Sequence, residues 1–231
     1  MKTGIIGAME EEVEALREKL ENPEKFTRAS MDFYSGKLNG REVVVVRSGI
    51  GKVNAGICAQ ILVDVFAVDA VINTGVAGSL SAQIDIGDIV ISTDTVQHDM
   101  DAVGFGYEPG VIPRMEESFF KADERLIRAA QEACAEAAPE IHSFTGRVVS
   151  GDQFIAGREV KERLSSQFGG LCAEMEGAAI AQAAYLNQIP FVIIRAISDK
   201  ADDSAHVDYP AFEREAIRHS VALVENFIGR L

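Results

Sequence analysis

Short, almost wholly apolar runs alternate along the chain with longer stretches whose apolar residues recur at helical spacing. The run at 3–9, TGIIGAM, reads as a buried strand, and a helix is predicted from about Glu10 to Glu21. ENPEKF, at 21–26, is read as a break. Residues 32–49 read as a hairpin turning at Asn39-Gly40, a favoured turn pair. A helix is predicted over 51–66, then a strand from 68 that runs into a glycine-containing loop ending near 80, and another strand over 86–93. Residues 98–115 carry glycines, two prolines and aromatics and read as a long loop. Then come a helix over 121–138, a strand and turn over 142–154, and a strand passing into an alanine-rich helix over 171–188. A β-branched strand over 189–202 ends in polar residues, and a helix closes the chain from 209 to 231. Several strands are apolar throughout rather than alternating, so the pattern predicts a mixed or mostly parallel sheet covered by helices on both faces.

The 231 residues suit one α/β domain, 1–231, without repeat, linker or low-complexity tract. The formal net charge is −14, which repels phosphate backbones and anionic bilayers, so neither nucleic acid nor membrane is an expected partner. Cys58, Cys134 and Cys172 are far apart and odd in number, as for free thiols in a reducing compartment. The N-terminal apolar stretch is too short for a signal peptide or a membrane span, and a cytoplasmic location is expected.

In folds of this class, ligands bind beyond the carboxyl ends of the strands. Three predicted strand ends carry acids: Glu12 after the first strand, Glu174 and Glu176 around Met175, and Asp199 at the end of VIIRAISD. Acids are also common in the first turn of a helix and as caps, which accounts for Glu10 and Glu11 without any chemistry. Converging carboxylates, however, are what acid/base cleavage of a glycosidic bond requires. SGIGKV is not a phosphate-binding loop, since Val46 stands at the first glycine position and Val53 at the final Ser/Thr position. No GxGxxG follows the first strand. His98, Asp99 and Asp101 lie close in sequence but lack a second histidine at metal-binding spacing, so they read as a polar loop, and no metal or cofactor is expected.

GIIGAMEEEV, SGIGKVNA, INTGVAG, GDIVIS, FGYEPG, VSGDQFI, AEMEGAAIA and VIIRAISDKA stand in an order and spacing that cover essentially the whole chain. Together they resemble the bacterial 5′-methylthioadenosine/S-adenosylhomocysteine nucleosidases, within the purine nucleoside phosphorylase/uridine phosphorylase superfamily. The resemblance implies a three-layer α/β/α sandwich around a mixed central β-sheet. It implies hydrolysis of an adenine thio-nucleoside, a step of methionine salvage. Glu12 would activate the attacking water. Asp199 would donate a proton toward adenine N7. Glu176 would hold the ribose hydroxyls, with Met175 beneath the sugar and Gly78 beside it. Phe154 would stack on adenine, and the backbone of Ile155 would bond its edge. Ser198 and Arg195 would orient Asp199 and Glu176. Met9, Ile50, Phe154 and Tyr209 would form an apolar slot for the methylthio group. Phe105 and Pro113 would complete the neighbouring site of a homodimer. The family usually has serine at Val76 and glycine at Ser79, so this chain lacks a hydroxyl that could order water. Three alternatives stand beside this reading: a nucleoside phosphorylase, which would need a cation for phosphate; an aminodeoxyfutalosine-type nucleosidase; and a non-catalytic nucleoside binder.

Overall fold

The computed structural model describes residues 1–137 and 141–231. Strand β1 (Thr3–Gly7) is buried along its whole length and enters helix α1 (Glu10–Glu18). The helix stops three residues short of the predicted Glu21, because Glu21 already belongs to a strand. ENPEKF is not a break but part of β2 (Glu21–Arg28), an edge strand exposed throughout. Pro23 removes a ladder donor, which an edge tolerates, and the register with the neighbouring strand shifts between Glu21 and Glu24. Strands β3 (Met31–Leu38) and β4 (Arg41–Arg47) form the predicted hairpin. Both turn residues, Asn39 (φ 51°) and Gly40 (φ 75°), are left-handed, as a two-residue turn requires.

Helix α2 (Lys52–Phe66) leads to β5 (Ala70–Ser79). The glycines of INTGVAG thus lie within a strand rather than in a loop. Strand β6 (Ile89–Gln97) precedes the long loop, which holds a 3₁₀ turn at Val103–Phe105. A short β7 (Phe119–Lys121), not anticipated, ends that loop, and α3 (Glu124–Ala137) follows. Ala138, the last residue of the predicted helix, lies outside the described residues. After β8 (Ser143–Ser150) comes a second unanticipated element, α4 (Arg158–Phe168), which buries Leu164 and Phe168 at a four-residue spacing. Strand β9 (Gly170–Glu174), α5 (Gly177–Leu186), β10 (Phe191–Asp199) and α6 (Ala205–Arg230) complete the chain. Helix α6 begins four residues before Tyr209 and carries Pro210 near its start.

The sheet is mixed. Strand β1 runs parallel to β4 and β5, and β5 parallel to β10, whereas β10 and β6 are antiparallel. Pairings β6–β8 and β8–β9 are parallel, and β9 returns to β5 antiparallel. Strands β5, β10, β6, β8 and β9 therefore close a ring. Its tightest point is Gly78, which pairs with Asp199 on one side and Ala173 on the other. That closure brings the carboxyl ends of β5, β9 and β10 to one place. The core beneath is built from Val, Ile, Leu and Phe of the sheet with α2, α5 and α6. No helix among the described residues is long and apolar enough to cross a membrane.

Candidate active site

A cavity of about 350 Å³ opens at that place. Glu12, Glu176 and Asp199 all line it, together with Gly78 and Ser198. Met175, Phe154 and Ile155 form part of the wall, and Met9, Ile50 and Tyr209 another part. Eleven positions expected from the sequence, drawn from segments far apart in the chain, thus meet in one cavity. Arg195, Phe105 and Pro113 are not among its lining residues.

Glu12 is the third residue of α1, and its carboxylate folds back over the helix start. Oε2 accepts the N–H groups of Ala8 (2.6 Å) and Met9 (3.0 Å), and Oε1 accepts that of Val76 (3.2 Å). A capping contact therefore also fixes a buried acid in the cavity wall. Glu10 instead pairs with Arg17 and lies 3.7 Å from Arg47, and Glu11 is exposed. Burial pushes the Glu12 carboxyl up, against the Arg195 charge and the three backbone donors.

Asp199 ends β10, where the register with β5 shifts between Ile197 and Asp199. Such an irregularity re-aims a side chain at a strand end. Oδ1 accepts the Ala201 N–H (2.8 Å), and the Ser198 hydroxyl donates to Oδ2 (3.0 Å). Burial raises its pKa, as do the charges of Asp208 and Asp202, and the two hydrogen bonds oppose the rise. A Cβ on Gly78 would lie 2.7 Å from Asp199 Oδ1, so only glycine lets β5 approach this carboxyl.

Arg195 lies fully buried behind the cavity. Its Nη2 donates to Asn73 Oδ1 (2.5 Å) and to Glu174, and lies 3.6 Å from Glu176 Oε2. Its firmest acidic partner is thus Glu174 rather than Glu176. Glu174 also accepts the Ser150 hydroxyl and the N–H groups of Glu176 (3.1 Å) and Gly177 (2.8 Å) at the start of α5. Sequence reasoning noticed this acid and gave it no role. Glu176 Oε1 accepts the Gly51 N–H (2.9 Å). Burial and the neighbouring Glu174 charge raise Glu176 to about 7, with Arg195 and the Gly51 N–H acting against them.

Phe154 is 48% exposed, and its ring meets Tyr209 edge-on at 5.8 Å. It forms an open aromatic platform. The slot expected to be apolar has a polar end: the Tyr209 hydroxyl donates to Glu213 (2.6 Å) and contacts the Met9 sulfur (3.4 Å). The two departures from the family pattern fall differently. Val76 lines the cavity, but its contact with Glu12 is made by the backbone, so Glu12 keeps its anchor. Ser79 is buried, and its hydroxyl donates to the carbonyls of Ser81 (2.9 Å) and Ile84 (3.2 Å), outside the cavity. Phe105 projects from the 3₁₀ turn, 87% exposed. Asp99 is engaged by Lys52 (2.5 Å), and among the described residues no group of three or more acids, histidines and cysteines is arranged to hold a metal.

A family profile described as "Phosphorylase superfamily" matches residues 2–229. A 5′-methylthioadenosine/S-adenosylhomocysteine nucleosidase of Anoxybacillus flavithermus is 45% identical, covering all of this chain and 99% of its own. The chain belongs to this nucleosidase family of the phosphorylase superfamily. Among solved structures, the enzyme of that name from Neisseria meningitidis, in complex with methylthio-immucillin-A, superposes with a TM-score of 0.95 at 39% identity, covering 100% of this chain and 99% of its own. A futalosine hydrolase of Helicobacter pylori superposes with a TM-score of 0.94 at 33% identity, covering 100% and 98%. The mixed α/β architecture expected from the resemblance is the one observed.

Proposed function

We propose that residues 1–231 act as one nucleosidase domain that hydrolyses the N-glycosidic bond of 5′-methylthioadenosine and S-adenosylhomocysteine. The products are adenine and the 5-thioribose. The observation that carries the reading is the ring of three carboxylates, Glu12, Glu176 and Asp199, around one largely apolar cavity walled by Phe154 and Met175.

Adenine leaves poorly as an anion. Asp199, whose burial favours the protonated form, is suited to donate a proton toward the base before the C1′–N9 bond breaks. The ribosyl group then develops oxocarbenium character, which nearby carboxylates stabilise. Glu12 is the assigned base: burial raises its carboxyl toward the pKa range of a general base, against the Arg195 charge and three backbone donors, and it takes a proton from water as the new C–O bond forms. Glu176 is assigned to the ribose hydroxyls, Phe154 to the face of the base, and the Ile155 backbone to its edge. Ser198 orients Asp199. Arg195 acts on Glu176 mainly through Glu174.

A phosphorylase would need a cation at the face of attack. No lysine or arginine is among the cavity-lining residues, and the nearby Arg195 is committed to Asn73 and Glu174. A mere binder would have no use for three buried acids, which are costly without a task. The futalosine hydrolase neighbour supports a second, futalosine-type substrate for the same chemistry, as in the aminodeoxyfutalosine-type alternative.

We further assign the working form as a homodimer. Phe105 on the loop, and Ile50, Val53 (72% exposed) and Ile57 before and along the start of α2, are exposed apolar side chains. A second copy covering these side chains is assigned to bring its Phe105 and Pro113 to its neighbour's cavity.

The deciding assay is product analysis with 5′-methylthioadenosine, with and without phosphate. Adenine and methylthioribose in both are expected. Adenine only with phosphate, beside a sugar 1-phosphate, would move the assignment to a phosphorylase.

A further inference from the structure

Helix α2 starts without a cap of its own. Its N-cap residue is Gly51, which offers no side chain and has a left-handed φ of 98°. The first turn contains no acid, and the first helical residue is Lys52, a cation at the positive end of the helix dipole. The unpaired N–H groups are instead taken by acids from far along the chain. Glu176 accepts from Gly51 (2.9 Å), and Asp152 Oδ1 accepts from Lys52 (2.8 Å). The Lys52 side chain turns to the end of β6, where Nζ donates to Asp99 Oδ1 (2.5 Å) and Gln97 Oε1 (2.9 Å). Asp99 Oδ2 in turn accepts the Asp152 N–H (3.0 Å), which closes the circuit. The ion pair is mostly buried, with side-chain exposures of 17% for Lys52 and 18% for Asp99. Burial works to raise the Asp99 pKa, yet Lys52 and the Asp152 N–H hold it below its ordinary value.

We infer that Lys52, Asp99 and Asp152 form a clasp that sets the distance between the sugar-binding Glu176 and the base-stacking Phe154. This inference rests on the reading of the site given above. One arm of the clasp ends at Gly51, whose N–H holds the Glu176 carboxylate. The other is Asp152 itself, two residues before Phe154 on the turn that leaves β8. Neither Lys52 nor Asp99 lines the cavity, so both are positioning residues. The bonds of Glu12 and Asp199 run to β5 and to their own chain neighbours rather than to the clasp. Loosening it should therefore harm the hold on the nucleoside more than the proton transfers. A polar group removed elsewhere in the fold would lower stability without that selectivity.

The test compares Lys52→Met, Asp99→Asn and the double variant with the parent, by steady-state kinetics on 5′-methylthioadenosine, adenine titration calorimetry and thermal melting. Lys52→Met is expected to raise KM and the adenine Kd about tenfold while kcat stays within about threefold. It also leaves Asp99 buried without its partner, so melting falls. The double variant removes both charges. Its melting temperature is expected to return toward the parent's while KM stays raised. If KM recovers together with melting, the trio only balances charge, and the clasp is refuted. Unchanged KM and adenine affinity in Lys52→Met would refute it too. Should Lys52→Met fail to fold, the near-isosteric Asp99→Asn decides alone: a raised KM at near-parental kcat supports the clasp, and parental KM refutes it. The parent's own turnover of the nucleoside tests the site assignment separately.

Discussion

Glu176→Gln is expected to make the protein more stable while disabling it. Glu176 is buried beside Glu174, with Arg195 only 3.6 Å away and shared with that neighbour. Its pKa rises from 4.5 to about 7. At about 1.36 kcal/mol per pKa unit, ionising it in the fold costs about 3 kcal/mol relative to the unfolded chain. The sign follows from proton counting. Between pH 4.5 and 7 the folded state holds a proton that the unfolded state has released, so stability falls as pH rises through this window and is level above it. Glutamine keeps the oxygen that accepts the Gly51 N–H and removes the ionisation. At pH 8.5 the variant should therefore melt higher by about 6–12 °C, taking about 2–4 °C per kcal/mol for a chain of this size. By pH 5 the advantage should shrink to under about 1 kcal/mol. Scanning calorimetry at pH 5, 7 and 8.5, at one protein concentration, checks both the sign and the slope. Turnover should fall, because the assigned ribose ligand loses its charge. A variant that melts at or below the parent at pH 8.5, or whose difference does not change with pH, would refute the claim that this acid is held at a cost.

Three further outcomes are expected. Asp199→Asn should lower kcat about 10²–10⁴-fold with unchanged circular dichroism and no loss of melting temperature, and turnover within tenfold of the parent would remove Asp199 as the acid. Gly75→Ala should cost about 1–3 kcal/mol in chemical denaturation and reduce activity, because the added Cβ would stand 2.5 Å from Glu12 Oε1 and against the Arg195 guanidinium. Phe105→Glu should weaken self-association in sedimentation velocity and reduce turnover at low protein concentration, and a fully active dimer would exclude the shared site.

Most of the sheet was legible because its strands are apolar throughout and bounded by turn residues, as at Asn39-Gly40. Each failure has a physical cause. Strand β2 is exposed on both faces and mostly polar, since it lies at an edge where nothing demands alternation. In INTGVAG the glycines suggested a loop, yet they serve a strand over which Arg195, Glu12 and Asp199 pass closely. Composition reports that the chain is thin there; it does not report what crosses above. Helix α4 carries its few buried residues among many charges, so its apolar stripe is narrow.

The site divides along a similar line. The acids were identifiable because strand ends converge, and the resemblance gave each a role. What supports them was not visible, because the supports are long-range. Glu174 was passed over: it lies 21 residues before Arg195 in the chain, and only the fold brings its carboxylate to the guanidinium. The start of α2 is more telling. Read locally, SGIGKV is a poor helix start, with a glycine, a lysine and no acid. Its donors are satisfied by Asp152 and Glu176, 100 and 125 residues away. A helix start that is weak by itself is completed by segments that also wall the cavity. The same hydrogen bonds that complete the helix also hold Glu176 and the turn bearing Phe154, so the start of α2 and the cavity wall share their supports.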